Sequence, residues 1–331
     1  MARQRRLKSN LPTAVYHCVT RTVNGEFLLD DTAKKVLRKQ IHQVAQFCGI
    51  EVVTYAVMSN HFHVLVRVPE KGNLSDAELL RRYAVLYPKP TQYATAQIEI
   101  LKATLKTNGT DAEKLRKQLL ARMGNISEFM KTLKQRFSVW FNKTHKRYGT
   151  LWAERFTSTI VEGNGHFALQ TMAAYIDLNP VRAGLVNDPK DYRWCGYGEA
   201  VAQGGPIVKG LRYAMENVGN HNDAELLAAY RVALFGKGAV PKANGARSGV
   251  ISAETLAREE KRAGKLSVPE RLRLKVNWFT RGAVIGSRQF VQAHLADYRR
   301  RTAKRRRLEP CAFSRDDIAE WPLLFAMRGG K

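Results

Sequence analysis

The pattern of apolar and polar positions predicts four strands in the first part of the chain. Apolar residues alternate with other residues most clearly over 61–68, and the pairs Asn24-Gly25 and Ser59-Asn60 mark two of the breaks. The predicted strands cover roughly residues 15–23, 51–58, 61–68 and 155–162. Because the second and third strands are joined by a tight turn, we expect them to pair antiparallel.

Apolar residues at helical spacing predict the helices between and after these strands. The first helix is capped by Asp30 or Asp31, runs to about Cys48, and ends at Gly49. The other predicted helices cover residues 73–86, 111–123, 127–147 and 167–178, with a proline-containing break at 88–90 and a stop at Pro180.

The order of these elements predicts an α+β domain with an antiparallel sheet. The first domain is expected to span residues 1–200, with a helical insertion near 73–125. A glycine-rich stretch around Gly204-Gly205 indicates a boundary. Residues 205–331 are expected to form a basic, mostly helical accessory or DNA-binding region.

The charge of the chain favours a polyanionic partner. The 331 residues include 55 Lys+Arg and 29 Asp+Glu, which gives a formal net charge of +26. The excess positive charges repel one another in the folded state. A polyanionic partner would offset this repulsion, and nucleic acid is the usual one. The apolar content of 44% is enough for a packed core and excludes a wholly disordered chain.

Other features favour a cytoplasmic protein with no membrane partner. The chain has no stretch of about 18 apolar residues that would predict a transmembrane helix. Its basic N-terminus is not followed by the apolar run of a secretory signal. The scattered cysteines Cys18, Cys48, Cys195 and Cys311 form no CxxC pair, so neither a zinc ribbon nor a disulfide framework is predicted.

Two histidines on the third predicted strand are candidate metal ligands. Side chains two residues apart on a strand share a face, so His61 and His63 project together, with Arg67 further along. Phe62 and the alternate valines then point into the core. Two neutral imidazoles side by side form a plausible half-site for a divalent metal. The same spacing also fits ordinary sheet-surface histidines, and both interpretations stay open at this point.

Tyr175 and Asn179 lie one turn apart at the end of the helix that precedes Pro180. If that edge faces the histidine strand, Asn179 would offer an oxygen ligand, and Tyr175 would place its hydroxyl near the metal. A tyrosine hydroxyl can act as a covalent nucleophile, and a divalent ion can polarise a phosphoryl group. A core-edge tyrosine followed by a helix-ending Asn-Pro is the alternative. Pro180 also disfavours α geometry at Asn179, which leaves the direction of its side chain open.

Together, these motifs resemble those of the single-tyrosine HUH transposases, in which HUH denotes His-hydrophobic-His. The similarity is closest to the REP-associated tyrosine transposases, a domesticated bacterial branch. The resemblance covers roughly residues 10–200 and implies a ferredoxin-like (RRM-like) core. It is carried by YHCVT (16–20), YAVMSNHFH (55–63), YGTLWAERF (148–156) and YIDLNPVRAGLV (175–186).

The resemblance also implies roles for individual residues. His61, His63 and Asn179 take the positions that bind Mg²⁺ or Mn²⁺ in the family, and Tyr175 takes that of the nucleophile. The implied reaction is cleavage and rejoining of single-stranded DNA near hairpin-forming palindromes. A 5′-phosphotyrosine link forms, a 3′-hydroxyl leaves, and attack by a 3′-hydroxyl reseals or transfers the strand. The insertion and residues 205–331 depart from the smallest members, and some relatives have glutamine as the third ligand.

Basic residues supply candidate DNA contacts, although the same charges fit solvated faces and structural ion pairs. Trp140, Trp152 and Trp194 are expected in the core rather than as base-stacking platforms. His17 and Arg21 could line the site or simply pair within the sheet. The candidate contacts are Arg67, Lys131, Lys134, Arg136, Arg155, Arg182, Arg299, Arg300, Arg301, Arg305, Arg306 and Arg307.

Two other functions stay open from the sequence. A non-catalytic nucleic-acid binder with an RRM-like sheet would show exposed aromatic residues on its central strands. A metal-dependent DNA hydrolase would need an acidic group near the metal, for which Asp177 and Glu154 are candidates.

The active unit could be a monomer or a homodimer, and a DNA partner in the bacterial cytoplasm implies association with the nucleoid. The DNA target, and whether the protein mobilises DNA or serves its host, are open.

Overall fold

The protein is built around one sheet. The computed structural model describes residues 7–70, 72–107, 109–164, 166–215, 222–238, 283–301, 310–312 and 325–326. The strands in these residues are β1 (Ala14–Arg21), β2 (Glu51–Val57), β3 (His61–Val68), β4 (Thr157–Val161), β5 (Val284–Gly286), β6 (Cys311–Ala312) and β7 (Phe325–Ala326). They form a seven-stranded sheet in the order β2-β3-β1-β4-β5-β7-β6.

Helices cover both faces of this sheet and extend beyond it. Those in the described ranges are α1 (Asp31–Cys48), α2 (Asp76–Val85), α3 (Gln92–Lys106), α4 (Thr110–Arg122), α5 (Ile126–Thr144), α6 (His166–Asp177), α7 (Asn179–Arg182), α8 (Gly196–Gln203), α9 (Pro206–Ala214), α10 (Asp223–Gly238) and α11 (Arg288–Arg301). None of these helices combines the length and apolarity needed to cross a bilayer.

The first four strands confirm the predicted α+β class. β1 pairs antiparallel with β3 and with β4, and β2 pairs antiparallel with β3. The helix α1 carries the chain from β1 to β2, and the short turn at Ser59-Asn60 returns it as β3, which therefore lies between β2 and β1. The result is the ferredoxin-like (RRM-like) strand order β2-β3-β1-β4.

Local sequence signals set the limits of α1 as expected. The Asp30 side chain accepts a hydrogen bond of 2.7 Å from the backbone N–H of Ala33, which caps an unsatisfied donor at the first turn. Gly49 follows the last turn with φ of 64°, a conformation that glycine adopts without a Cβ penalty. Leu37, on the apolar stripe of the helix, is fully buried.

The helix α3 was not expected from the sequence. The sequence predicts a proline-containing break between the helices at 73–86 and 111–123, and α3 occupies residues just after those prolines. Its buried residues are Ala94 and Leu105, so its apolar stripe is narrow and the periodicity is weak. With α2 and α4, it forms the helical insertion, in which Arg116 makes a bidentate ion pair with Asp76 at 2.7 Å.

The two faces of the sheet have different partners. Phe62 packs edge-to-face against Trp152 at 5.7 Å between ring centroids, and Trp152 also contacts Phe137 of α5 at 5.7 Å. This face therefore packs towards α1 and α5. The opposite face carries the histidines and is covered by α6, which packs on β2, β3 and β4. Trp152 and Trp194 are buried and Trp140 is partly buried, as expected.

Packing continues through the glycine-rich segment at residues 204–205. Gly204 and Gly205 have φ of 62° and 79°, so the chain turns there. The domain boundary expected at this stretch stays a prediction. The helix α9 then packs on β2, and β5 adds to the sheet parallel to β4. The described part of 205–331 contains three helices and three short strands. The candidate contacts Arg305, Arg306 and Arg307 lie outside the described residues.

The contact between α9 and β2 leads to a stability prediction. A Cβ on Gly210 would lie 2.2 Å from the Val52 carbonyl oxygen, so Gly210→Ala must push the helix off the strand. We expect this variant to lose about 1–3 kcal/mol of unfolding free energy, measured by urea denaturation. Gly72→Ala is the control, because its Cβ meets nothing within 4 Å. Equal midpoints for the two variants would contradict the close packing.

Candidate functional site

Three histidines meet on the sheet face beneath α6. In the antiparallel register of β1 and β3, Arg21 lies opposite His61, and Val19 lies opposite His63. Opposed residues point to the same face, and His17 shares it because it lies two residues from Val19. The rings of His61 and His63 are 5.1 Å apart between centroids. The predicted projection of this histidine pair onto one face is therefore observed.

His17 contacts His63 directly. The Nε2 atom of His17 lies 2.9 Å from the Nδ1 atom of His63, and the two rings stack at 5.1 Å. One nitrogen in this hydrogen bond carries the proton, so the contact couples the tautomers of the two rings. If His63 donates from Nδ1, its Nε2 atom carries a lone pair for a metal.

Burial keeps the candidate ligands neutral. It lowers the pKa of His61 to about 4, and the nearby Arg21 guanidinium acts in the same direction. Burial also lowers the pKa of His63 well below its usual value, helped by the neighbouring His17 and His61. Both imidazoles are therefore uncharged at neutral pH, which is the state that binds metal ions.

Tyr175 faces this histidine cluster from α6. Its ring centroid is 5.9 Å from that of His63 and 6.1 Å from that of His17, and both pairs meet edge-to-face. The side chain is 3% exposed. Burial raises the pKa of the phenol, opposed in part by the charges of Arg182 and Arg21, so the hydroxyl is protonated at neutral pH.

Arg182 lies against the other side of Tyr175. Its guanidinium carbon is 4.1 Å from the centroid of the phenol ring, and its Nη2 atom donates to the Tyr175 backbone carbonyl. Arg21, at the end of β1, also acts electrostatically on the phenol. A guanidinium is well suited to bind phosphate oxygens.

Asn179 is positioned by the proline that follows it. Pro180 has no N–H to donate to the Ile176 carbonyl, and the Asn179 Nδ2 atom donates 3.1 Å bonds to the carbonyls of Ile176 and Tyr175 instead. Carbonyls accept only, so the amide nitrogen must face them, and the amide oxygen is left for another partner. The helix α6 ends before Pro180 as expected, but the chain then continues as α7 rather than leaving helical geometry.

The candidate metal ligands are of a chemical type that suits a weakly held divalent cation. They comprise the His61 and His63 imidazoles and the Asn179 amide oxygen, which are neutral and of mixed nitrogen and oxygen type. In the part of the chain that the structure describes, no group of three or more His, Cys, Asp or Glu side chains is arranged to hold a metal ion. Phosphate oxygens and water would therefore have to complete the coordination shell, as is usual for Mg²⁺.

Asp177 does not serve as an acidic group at the candidate metal site. Both of its carboxylate oxygens accept hydrogen bonds from Thr54 at 2.9 Å, and the Tyr197 N–H and the Tyr230 hydroxyl donate at 3.0 Å and 2.7 Å. Asp177 is fully buried, and this burial raises its pKa to about 6. Its oxygens tie α6 to β2, α8 and α10 rather than facing the histidines. The other acidic candidate, Glu154, is exposed in the loop before β4.

Several of the candidate DNA-contacting cations make internal contacts. Arg67 pairs with Glu51 at 2.9 Å, and Lys131 lies 3.5 Å from Glu128. Lys134 donates to the Glu154 carbonyl at 2.6 Å. These contacts orient the side chains, and their role towards DNA stays a prediction.

The remaining candidate cations lie at three places. Arg136 donates to the Leu86 carbonyl at 2.5 Å, within the helical layer behind the sheet. Arg155 is exposed in the loop that precedes β4. Arg299 and Arg300 are exposed near the end of α11, whose last residue is Arg301.

Comparison with known families supports the resemblance found in the sequence. Residues 10–79 match the model of the family described as "Transposase IS200 like". The resemblance to the single-tyrosine transposases is confirmed over these residues. This IS200-like segment contains β1 to β3, and therefore the histidine cluster, whereas Tyr175 and Asn179 lie beyond it.

Other comparisons are more distant. The chain is similar to a solved structure of a REP-associated tyrosine transposase bound to a REP hairpin. The identity is 16%, the TM-score is 0.35, and the match covers 62% of this chain and 87% of that chain. No curated protein matches the chain.

Proposed function

We propose that the protein is a metal-dependent transposase that cleaves and rejoins single-stranded DNA through a covalent link to Tyr175. The observation that carries this proposal is the position of the phenol. Its ring lies about 6 Å from the rings of His17 and His63 and 4.1 Å from the guanidinium of Arg182. The proposal is supported by this closeness of a tyrosine hydroxyl, histidine imidazoles and a guanidinium, and by the match of residues 10–79 to a transposase family.

The residues have distinct chemical tasks in this proposal. The Tyr175 oxygen attacks the scissile phosphorus and its proton passes to solvent. The bond to the 3′-oxygen breaks, and this oxygen takes up a proton from solvent and leaves as a 3′-hydroxyl. Arg182 and Arg21 offset the charge on the phosphate oxygens. His61, His63 and Asn179 would hold Mg²⁺ or Mn²⁺, which would supply Lewis-acid polarisation of the phosphoryl group. Burial raises the pKa of the phenol, so the positive charges of Arg182 and Arg21 assist its ionisation.

The proposed intermediate accounts for rejoining without a nucleoside triphosphate. The 5′-phosphotyrosine is a phosphodiester, as is the DNA linkage that it replaces. Attack by a 3′-hydroxyl on its phosphorus therefore restores a DNA strand and returns the phenol. The substrate proposed is DNA that folds into a hairpin, in keeping with the sequence resemblance to the REP-associated branch.

A single copy of the chain holds the whole candidate set. His17, His63 and Tyr175 contact one another within one molecule, and Asn179 follows Tyr175 by one helical turn. We therefore propose that one copy can bind metal and attack a strand, whether the protein is a monomer or a homodimer in solution.

The contact between His17 and His63 leads to a metal-binding prediction. If His17 accepts a hydrogen bond from the Nδ1–H group of His63, then His17→Phe removes that acceptor. The proton of His63 is then no longer held on Nδ1, and Nε2 is no longer kept free for a metal. We expect Mn²⁺ affinity, measured by electron paramagnetic resonance of the free ion, to fall about 10- to 100-fold. His17→Gln, which keeps an acceptor, should lose less. Wild-type Mn²⁺ affinity in a folded His17→Phe variant would refute the coupling.

A trapping experiment tests the function itself. The protein is incubated with 5′- or 3′-labelled hairpin DNA and Mn²⁺ and then resolved on a denaturing gel. A covalent adduct that retains the strand on the 3′ side of the cut supports the transposase. Nicking without an adduct would support a hydrolase with activated water, and binding without cleavage would support a non-catalytic reader.

A further inference from the structure

Two aromatic side chains project into solvent beside the candidate site. Phe27 is 81% exposed and Tyr148 is 94% exposed. Single exposed apolar residues are common on protein surfaces, but these two extend from separate loops that meet at the same end of the sheet. Their surroundings therefore bear on what they bind.

The loop that carries Phe27 is fastened to the turn before His61. The Thr22 hydroxyl donates to the Glu26 carbonyl at 2.7 Å, and the Asn60 side-chain nitrogen donates to the Gly25 carbonyl at 3.0 Å. The Asn60 side-chain oxygen lies 2.7 Å from Nδ1 of His61. Phe27 is therefore held on a short ordered loop next to a candidate metal ligand.

The loop that carries Tyr148 is fastened to the same end of β1. The Val23 N–H donates to the Leu151 carbonyl at 2.9 Å, and the Ala153 N–H donates to the Arg21 carbonyl at 3.0 Å. Since Arg21 lies opposite His61 in the sheet, both aromatic loops border the end of the sheet that carries His61.

Tight turns shape both loops. Asn24 and Gly25 have φ of 53° and 72°, and Lys146 and Gly149 have φ of 48° and 83°. The Asn142 side-chain nitrogen also donates to the Gly149 carbonyl at 3.0 Å, which closes the second loop. The two exposed rings therefore lie on loops that are closed by hydrogen bonds.

The charges around these rings are mixed, with more exposed cations than acids, which suits a polyanionic strand. Arg21, Lys146 and Arg155 are exposed in the two loop segments and Lys143 in the last turn of α5, beside the exposed acids Glu26 and Glu154. Cations beside exposed aromatic rings match single-stranded nucleic acid, whose phosphates take the charges and whose unpaired bases stack on the rings. The bases of a duplex are already stacked, so the same surface would favour unpaired strands.

We propose that Phe27 and Tyr148 form a base-stacking platform for unpaired DNA nucleotides beside the phosphate that Tyr175 attacks. The reference to that phosphate rests on the proposed function, whereas the stacking itself does not. The platform would hold the single strand at the foot of a hairpin and align its backbone with the guanidinium groups of Arg21 and Arg182.

Binding of a fluorescent single-stranded oligonucleotide without added metal tests the platform. We expect the double variant Phe27→Ala/Tyr148→Ala to raise Kd by about 5- to 100-fold, with an unchanged dependence of log Kd on log salt because no charge is removed. Tyr93→Ala is the matched control, since that ring is 79% exposed on α3 in the helical insertion. It should bind like the wild type.

An abasic oligonucleotide of the same length provides the decisive comparison, because it keeps the phosphates and lacks the bases. The wild type and the double variant should bind it equally. The platform would be overturned if the double variant bound the normal strand as tightly as the wild type does. It would also be overturned if the double variant lost as much affinity for the abasic strand as for the normal strand. If these differences in binding were observed but the trapping experiment gave no covalent adduct, only the proposed chemistry would be overturned.

Discussion

Replacing Tyr175 by phenylalanine is expected to abolish DNA cleavage and to leave hairpin affinity unchanged. The substitution removes one oxygen and keeps the ring that packs between Arg182, His17 and His63. If that oxygen is the nucleophile, the single-turnover cleavage rate should fall by at least about 10⁴-fold. The measurement is the rate of product formation from a labelled hairpin with Mn²⁺, beside Kd for the same hairpin.

Tyr16→Phe is the matched control for this experiment. Tyr16 is also a buried tyrosine, but it lies on β1, and its hydroxyl accepts a 3.0 Å hydrogen bond from the backbone of Ser9. Loss of the Tyr16 hydroxyl should leave the rate of DNA cleavage unchanged. Wild-type cleavage by Tyr175→Phe would contradict the nucleophile assignment, whereas equal losses in both variants would show that the defect comes from the fold.

Asp177→Ala is expected to lower the unfolding free energy by about 3–5 kcal/mol, because it leaves several buried donors without their acceptor. Those donors are the Thr54 hydroxyl, the Tyr197 N–H and the Tyr230 hydroxyl, which converge on Asp177 from β2, α8 and α10. Asp177 lies two residues after Tyr175 and two before Asn179. The loss should therefore also loosen the segment that positions the candidate site.

Chemical denaturation followed by circular dichroism measures this effect. Asp111→Ala is the control, because that carboxylate is exposed and pairs with Lys114 at 3.4 Å on the surface. A surface pair of this kind contributes about 1 kcal/mol or less. Asp177→Asn keeps one acceptor oxygen and should lose less than Asp177→Ala. An Asp177→Ala midpoint equal to that of the control would show that the network does not stabilise the fold.

Local patterns were sufficient to predict the central part of the fold. The apolar residues at alternate positions over 61–68, with a tight turn before them, predicted β3 and its pairing. A cap at Asp30 or Asp31 and a stop at Gly49 predicted α1. The sequence patterns that predict these elements each span only a few neighbouring residues. The helix α3 could not be predicted in this way, because it buries little of its surface. The short strands β5 to β7 depend on pairing with distant parts of the chain.

The candidate site shows the same division between local and tertiary information. The spacing of His61 and His63 and of Tyr175 and Asn179, with the family resemblance, pointed to these four residues. The hydrogen bond between His17 and His63 depends on the register of β1 against β3, which alternation alone does not fix. The partners of Asp177 include Tyr230, 53 residues later, which no local pattern connects to it.

The most direct measurement identifies the amino acid that becomes joined to DNA. After reaction with a hairpin and Mn²⁺, the protein is digested, and the nucleotide-bearing peptide is sequenced by mass spectrometry. The account predicts a modification on Tyr175, linked through the 5′-phosphate of the downstream strand. A link to any other residue, or cleavage that leaves every peptide unmodified at early reaction times, would contradict it.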